Sequence, residues 1–176
     1  MTVPNLITVF RLVLVPVVVL MILQGRWGAA FAAFVVAGVS DGIDGWIARR
    51  FDMRSEFGAV IDPLADKALL VSIYVTLAVV GVLPDWVTVV VVSRDLIMVM
   101  AIMVSWLMHK PMEIRPMFVG KMNTAAQIGF ATLVLATKAF AIAPDAWIDA
   151  AMILVVALTI LSGGAYLAKW LRHMTA

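Results

Sequence analysis

Apolar residues fill this chain in long runs rather than in strict alternation. Six of the runs approach the roughly 20 apolar residues that a bilayer-spanning helix needs. They extend from Leu6 to Gln24, Trp27 to Ala48, Ala59 to Leu83, Trp86 to Leu107, Met122 to Ile142 and Trp147 to Leu171. Breaks fall at Gln24-Gly25-Arg26, the Arg49 to Phe57 turn, Pro84-Asp85, the His109 to Lys121 linker and Pro144-Asp145. These connections leave no room for a second domain, and no internal repeat is visible. The pattern therefore predicts one all-α integral membrane domain over residues 1–176 with six transmembrane helices. Pro63 cannot donate to the carbonyl four residues back, so the third helix either kinks there or starts with Asp62 as its cap.

Composition supports this reading. The chain is 64% hydrophobic and 14% charged, against about 25% charged in soluble proteins, and its mean hydropathy is +1.08. The absence of cysteine excludes disulfide and thiol chemistry. A net charge of +2 gives no reason to expect a nucleic acid partner. The opening MTVPNLITVF lacks a basic leader, so no cleaved signal peptide is expected.

Charge placement sets an orientation. Arg49, Arg50, Arg54, Lys110, Arg115, Lys121, Lys169 and Arg172 fall on one side of a six-helix topology, and only Arg26 and Lys138 fall on the other. By the positive-inside rule both termini are cytoplasmic, as is the turn after the second run. Trp27, Trp86 and Trp147 open three helices at the opposite interface, where indole rings anchor.

The candidate chemistry lies in DGIDGWIARRFDMRSEFGAVIDPLADK, residues 41–67. On a helix, residues three and four apart share a face. Asp41, Asp44, Gly45 and Ala48 then form one stripe, and Gly58, Asp62 and Asp66 form another after the turn. In a hairpin reversing near Met53, Asp41 lies level with Asp66 and Asp44 with Asp62, so the four carboxylates can converge. Two carboxylates about 5 Å apart repel by roughly 3 kcal/mol at an effective dielectric near 20. Such a cluster takes up protons or cations, and an all-oxygen set suits two Mg²⁺-type ions rather than Zn²⁺. Paired divalent ions suit phosphoryl transfer. A structural ion-pair network is disfavoured by the cost of ionisable groups in a membrane. Cation transport would favour midplane sites within inverted repeats, which are not seen.

Other polar residues leave alternatives open. Arg94 and Asp95 are adjacent and should point to different sides of the fourth helix, as a structural pair with other helices or as substrate contacts. Lys110, Arg115 and Lys121, beside Asn123 and Thr124 at the cytoplasmic surface, could clamp phosphate or serve only as positive-inside charge. Lys67 is placed to support a neighbouring carboxylate.

The pattern Asp41-x2-Asp44-Gly45-x2-Ala48-Arg49-x8-Gly58-x3-Asp62-x3-Asp66 resembles the complete signature of the CDP-alcohol phosphotransferases. The resemblance implies a six-helix membrane enzyme, usually a homodimer, with its site open to the cytoplasm and a bacterial inner membrane as the expected location. It implies transfer of a substituted phosphate from a CDP-linked donor to a hydroxyl, with release of CMP and a requirement for Mg²⁺ or Mn²⁺. Carried onto this chain, Asp41, Asp44, Asp62 and Asp66 would be metal ligands, and Asp66 also the catalytic base. Gly42, Gly45, Ala48 and Gly58 would shape the cytidine pocket, and Arg49 would lie near the nucleotide or its phosphates. Pro4-Asn5-Leu6-Ile7-Thr8-x2-Arg11 and Asp62-Pro63-Leu64-Ala65-Asp66-Lys67 resemble the branch that uses CDP-diacylglycerol and a glycerol-bearing acceptor. Ser93-Arg94-Asp95-Leu96 and the stretch from Pro116 to Gln127 look more like mitochondrial-type cardiolipin synthases than phosphatidylglycerophosphate synthases. The latter usually carry Arg-Glu and a further Arg one or two turns on, where this chain is neutral from Leu96 to Met108. Phosphatidylglycerol is therefore the favoured acceptor and glycerol 3-phosphate the alternative. Arg94, Asp95, Arg115, Lys121 and Asn123 are the candidate acceptor contacts.

Overall fold

Every apolar run is a helix. A computed structural model describes residues 3–50, 56–108, 118–143 and 146–175, with the backbone alone at 3–9, 41, 43–50, 56–66, 102, 106 and 175. The helices are α1 (Val3–Leu23), α2 (Trp27–Arg50), α3 (Glu56–Val79), α4 (Asp85–Leu107), α5 (Phe118–Ala139) and α6 (Ala146–Thr175). No strand occurs among the described residues.

Helix ends depart from the hydropathy limits where local backbone chemistry decides them. At Gly25 (φ 68°) the Arg26 N–H donates to Met21 O and the Gly25 N–H to Ile22 O, each at 2.9 Å. This is a Schellman closure, in which a left-handed residue lets the last carbonyls find donors. The same closure at Gly81 (φ 71°), with Val82 N–H on Leu77 O at 2.8 Å, ends α3 at Val79 rather than at the expected Leu83. In α5, Ala141 takes the left-handed position (φ 52°) and Ile142 N–H donates to Thr137 O, so α5 stops at Ala139 rather than Ile142. At its other end α5 begins at Phe118, inside the expected linker. α3 is already helical from Glu56 and runs through position 63, so the alternative start at Asp62 is not the one adopted.

The chain divides into two compact units, Met1–Leu83 with Ala131–Pro144, and Pro84–Phe130 with Asp145–Ala176. The boundary falls within α5. In the first unit α1 packs on α2 and α3. Ala30, Phe34 and Ala37 of α2 and Leu69, Leu70, Ile73, Tyr74 and Leu77 of α3 are buried at helical spacing. Phe31 meets Phe140 edge to face at 5.7 Å, and Lys138 Nζ lies 6.0 Å over the Trp27 ring. The start of α2 and the end of α5 therefore share one end of this unit. In the second unit α4 packs on α6.

The outer surface is that of a membrane protein. Asp85–Ser105 and Ala146–Met174 are long and apolar enough to cross a bilayer, yet only 35% and 22% of their apolar windows is buried. A core helix of a soluble protein would bury most of such a window. Val79 and Leu107, each 72% exposed, and Phe118, 75% exposed, belong to the same apolar exterior.

Candidate active site

The four signature aspartates occupy helical backbone. Positions 41 and 44 lie in the last turns of α2, and 62 and 66 lie in the first half of α3. Their spacings of three and four residues thus have the helical geometry that puts each pair on one face. Positions 45, 48, 49 and 58 are helical too. The side chains of Asp41, Asp44, Ala48, Arg49, Asp62 and Asp66, and whatever surrounds Gly45 and Gly58, lie outside the described residues. Gly42 is exposed, and a β-carbon added there would meet nothing within 4 Å. Among the described residues no group of three His, Cys, Asp or Glu could hold a metal. The aspartate quartet lies outside that set.

The candidate acceptor residues are better defined, and two expectations change. Arg94 and Asp95 do neutralise each other: Arg94 Nη1 donates to Asp95 Oδ1 at 2.6 Å, with both residues only 6% exposed. Adjacent positions on a helix diverge at Cβ, but the long arginine stem folds back when burial makes an unpaired charge costly. Its other arm reaches α6, where Nη2 donates to Ser162 Oγ at 2.7 Å. Asn123, expected beside a cytoplasmic surface, is fully buried instead. It lies two residues from Lys121, about 200° around the helix, so Lys121 is exposed while Asn123 meets α6. Thr159 Oγ1 donates to Asn123 Oδ1 at 2.9 Å and accepts from Gln127 Nε2 at 3.3 Å. Arg115, with His109 and Lys110, lies outside the described residues.

α5 and α6 thus face each other through small and hydroxylic residues. A β-carbon on Gly163 would lie 3.3 Å from Arg94 Cγ, and one on Gly120 3.7 Å from Arg94 Nη2. These glycines let the guanidinium into the cluster. Three buried polar atoms there have no hydrogen-bond partner among the described residues: Arg94 Nε, Asn123 Nδ2 and the Tyr166 hydroxyl. The α6 contributors Thr159, Ser162, Gly163 and Tyr166 escape charge-based reading because none carries a formal charge. Their shared spacing of three and four along an otherwise apolar helix is the signal that marks them.

Comparison with known proteins places these features in a family. The profile of the CDP-alcohol phosphatidyltransferases matches residues 1–167, running through both compact units. Cardiolipin synthase (CMP-forming) of Rattus norvegicus is 31% identical over 155 residues, covering 79% of this chain and 51% of that protein. A putative cardiolipin synthase of Mycobacterium bovis is 33% identical over 140 residues, covering 77% of this chain and 65% of the relative. A probable phosphatidylglycerophosphate synthase of Mycobacterium tuberculosis is 42% identical over 98 residues, covering 52% of this chain and 47% of its own length. The chain spans about half the length of several of the curated relatives it matches. By the extent of the profile match and the signature it contains, this chain belongs to the CDP-alcohol phosphatidyltransferase family.

Proposed function

We propose that this chain transfers the phosphatidyl group of CDP-diacylglycerol to a glycerol hydroxyl of phosphatidylglycerol, forming cardiolipin and releasing CMP. The observation that carries the reading is the family match over residues 1–167. It is joined by relatives named cardiolipin synthase that align with about four-fifths of the chain. In this reading the six helices all span the membrane, with both termini and the α2–α3 turn cytoplasmic, in a bacterial inner membrane and as a homodimer.

Asp41, Asp44, Asp62 and Asp66 would hold two Mg²⁺ or Mn²⁺ ions. The fit rests on donor chemistry: four carboxylates at helical spacing, with no Cys in the chain. Bound divalent ions would neutralise the diphosphate of the donor and stabilise the departing CMP. Gly42, Gly45, Ala48 and Gly58 would shape the cytidine pocket, and Arg49 would lie near the nucleotide or its phosphates. Asp66 takes the proton of the acceptor hydroxyl as its oxygen bonds to the phosphatidyl phosphorus and the bond to CMP breaks. Arg94, Asp95, Arg115, Lys121 and Asn123 serve the acceptor side.

A second reading, transfer to glycerol 3-phosphate, is favoured by the higher local identity to the phosphatidylglycerophosphate synthase relative. The test offers each acceptor in parallel to purified protein with CDP-diacylglycerol and Mg²⁺, and identifies the lipid products. Cardiolipin with equimolar CMP is expected. Phosphatidylglycerophosphate as the sole lipid product would reverse the ranking. Cation flux through liposomes without CMP release would remove transferase activity altogether.

A further inference from the structure

Arg11 is the one charged side chain buried among the described residues of the first unit, at 1% exposure. A guanidinium held inside a helix bundle needs an anion, because an uncompensated buried charge is strongly destabilising. The acidic residues of that unit are Asp41, Asp44, Asp52, Glu56, Asp62 and Asp66. Depth sorts them. Arg11 stands 12 residues before the end of α1 at Leu23, and positions 39 of α2 and 67 of α3 stand equally far from the matching ends at Trp27 and Val79. Helices joined by short connections alternate in direction, so these three positions are level. An arginine on a helix leans toward the N-terminus, which carries the charge of Arg11 to the level of positions 41 and 66. Glu56 lies 10 residues before position 66, about 15 Å along the helix, and Asp52 comes earlier still in the chain.

Face agrees with depth. On α1, Arg11, Val18 and Ile22 share the buried stripe. On α2 the buried Ala30, Phe34 and Ala37 run on at steps of four and three into positions 41 and 44. On α3 positions 62 and 66 lead at the same steps into the buried Leu69, Ile73 and Leu77. α1 packs on both helices, so the stripe that carries Arg11 is turned toward the two that carry the aspartates.

We propose that Arg11 is a positioning residue of the phosphotransfer site, its guanidinium bridging the carboxylates of Asp41 and Asp66. The planar fork can donate to both at once. It offsets the repulsion between them before metal binds. It also holds one oxygen of each so that the other is presented to the metal, as outer partners do around ligating carboxylates. This inference rests on the metal-site reading above and adds what α1 contributes to it.

Two measurements on full-length, detergent-purified protein test it. The first compares thermal unfolding of Asp41→Asn/Asp66→Asn with that of Asp44→Asn/Asp62→Asn in excess EDTA. Each double variant removes two charges, but only the first deprives Arg11 of its anions. It should melt lower than the second by on the order of 5 °C. Equal melting, or the reverse order, would overturn the bridge. The second measurement titrates Mn²⁺ into the wild type and Arg11→Lys, followed by electron paramagnetic resonance. Lysine keeps the charge but not the fork, so Mn²⁺ affinity should fall about 10- to 100-fold. An affinity within about twofold of wild type would leave Arg11 a packing residue and overturn the proposal. If Arg11→Lys does not fold, the double variants decide; if neither double variant folds, the titration does. Wild-type protein that binds no Mn²⁺ would overturn the metal-site reading, and the comparison in EDTA would still judge the bridge by itself.

Discussion

Thr159→Val tests whether the α5–α6 polar contact is a working part of the molecule. Thr159 is fully buried, and its hydroxyl both donates to Asn123 Oδ1 at 2.9 Å and accepts from Gln127 Nε2 at 3.3 Å. Valine has nearly the same shape, so the substitution removes the hydrogen bonds without opening a cavity. Asn123 would lose its bond to α6 while its Nδ2 already has no partner among the described residues. Interhelical hydrogen bonds in membranes are worth about 0.6 kcal/mol on average and up to about 1.7. A buried acceptor left unsatisfied costs about 1–3 kcal/mol. Taking the average bond and the lower end of the penalty, the sum falls near 1.6 kcal/mol, equivalent for a chain of this size to a drop of about 3–6 °C in melting temperature. The assay is thermal unfolding of detergent-purified protein, paired with the KM for each substrate. The acceptor KM should rise while that for CDP-diacylglycerol stays within about twofold, since Asn123 is proposed to serve the acceptor side. A melting temperature within about 1 °C of wild type, together with an unchanged acceptor KM, would refute the reasoning.

Asp66→Asn should reduce turnover by at least about 10²-fold, the scale of a lost general base, while CDP-diacylglycerol binding persists; near-normal turnover would remove Asp66 as base. Gly163→Leu should lower stability by about 1–3 kcal/mol, because a β-carbon there already lies 3.3 Å from Arg94 Cγ. Gly164→Ala, with nothing within 4 Å of the new atom, should be neutral or stabilising by up to about 1 kcal/mol; equal effects in thermal unfolding would contradict the packing account. Chelation should abolish CMP release, and Mg²⁺ or Mn²⁺ should restore it; full activity in excess EDTA would exclude the carboxylate site as a metal centre.

The helices were legible because bilayer length and apolar composition are strong, local signals. All six runs are helical, and their limits differ by a few residues, as where a left-handed Gly81 or Ala141 closes the helix early, α5 starts in the linker or α6 runs on to Thr175. Those closures depend on backbone geometry that hydropathy does not encode. The family was legible in the aspartate spacing, and the profile match bears it out. The residues proposed for the acceptor side were less so. Reading Arg94 and Asp95 by Cβ direction missed their ion pair, because a long side chain can cross the angle that separates neighbouring positions. At the α5 start the sequence places Asn123 beside Lys121 at the cytoplasmic surface, whereas Asn123 is buried against uncharged partners on α6. In an apolar helix, hydroxyls and glycines at spacings of three and four carry that information, and they are quieter than a carboxylate.

The proposed mechanism rests on convergence of the α2 and α3 carboxylates on a pair of divalent ions, and anomalous diffraction from Mn²⁺-soaked crystals tests it most directly. Two manganese peaks within ligand distance of Asp41, Asp44, Asp62 and Asp66 are predicted. Fully occupied crystals with no peak among these residues, or with the four side chains turned onto separate surfaces, would contradict it.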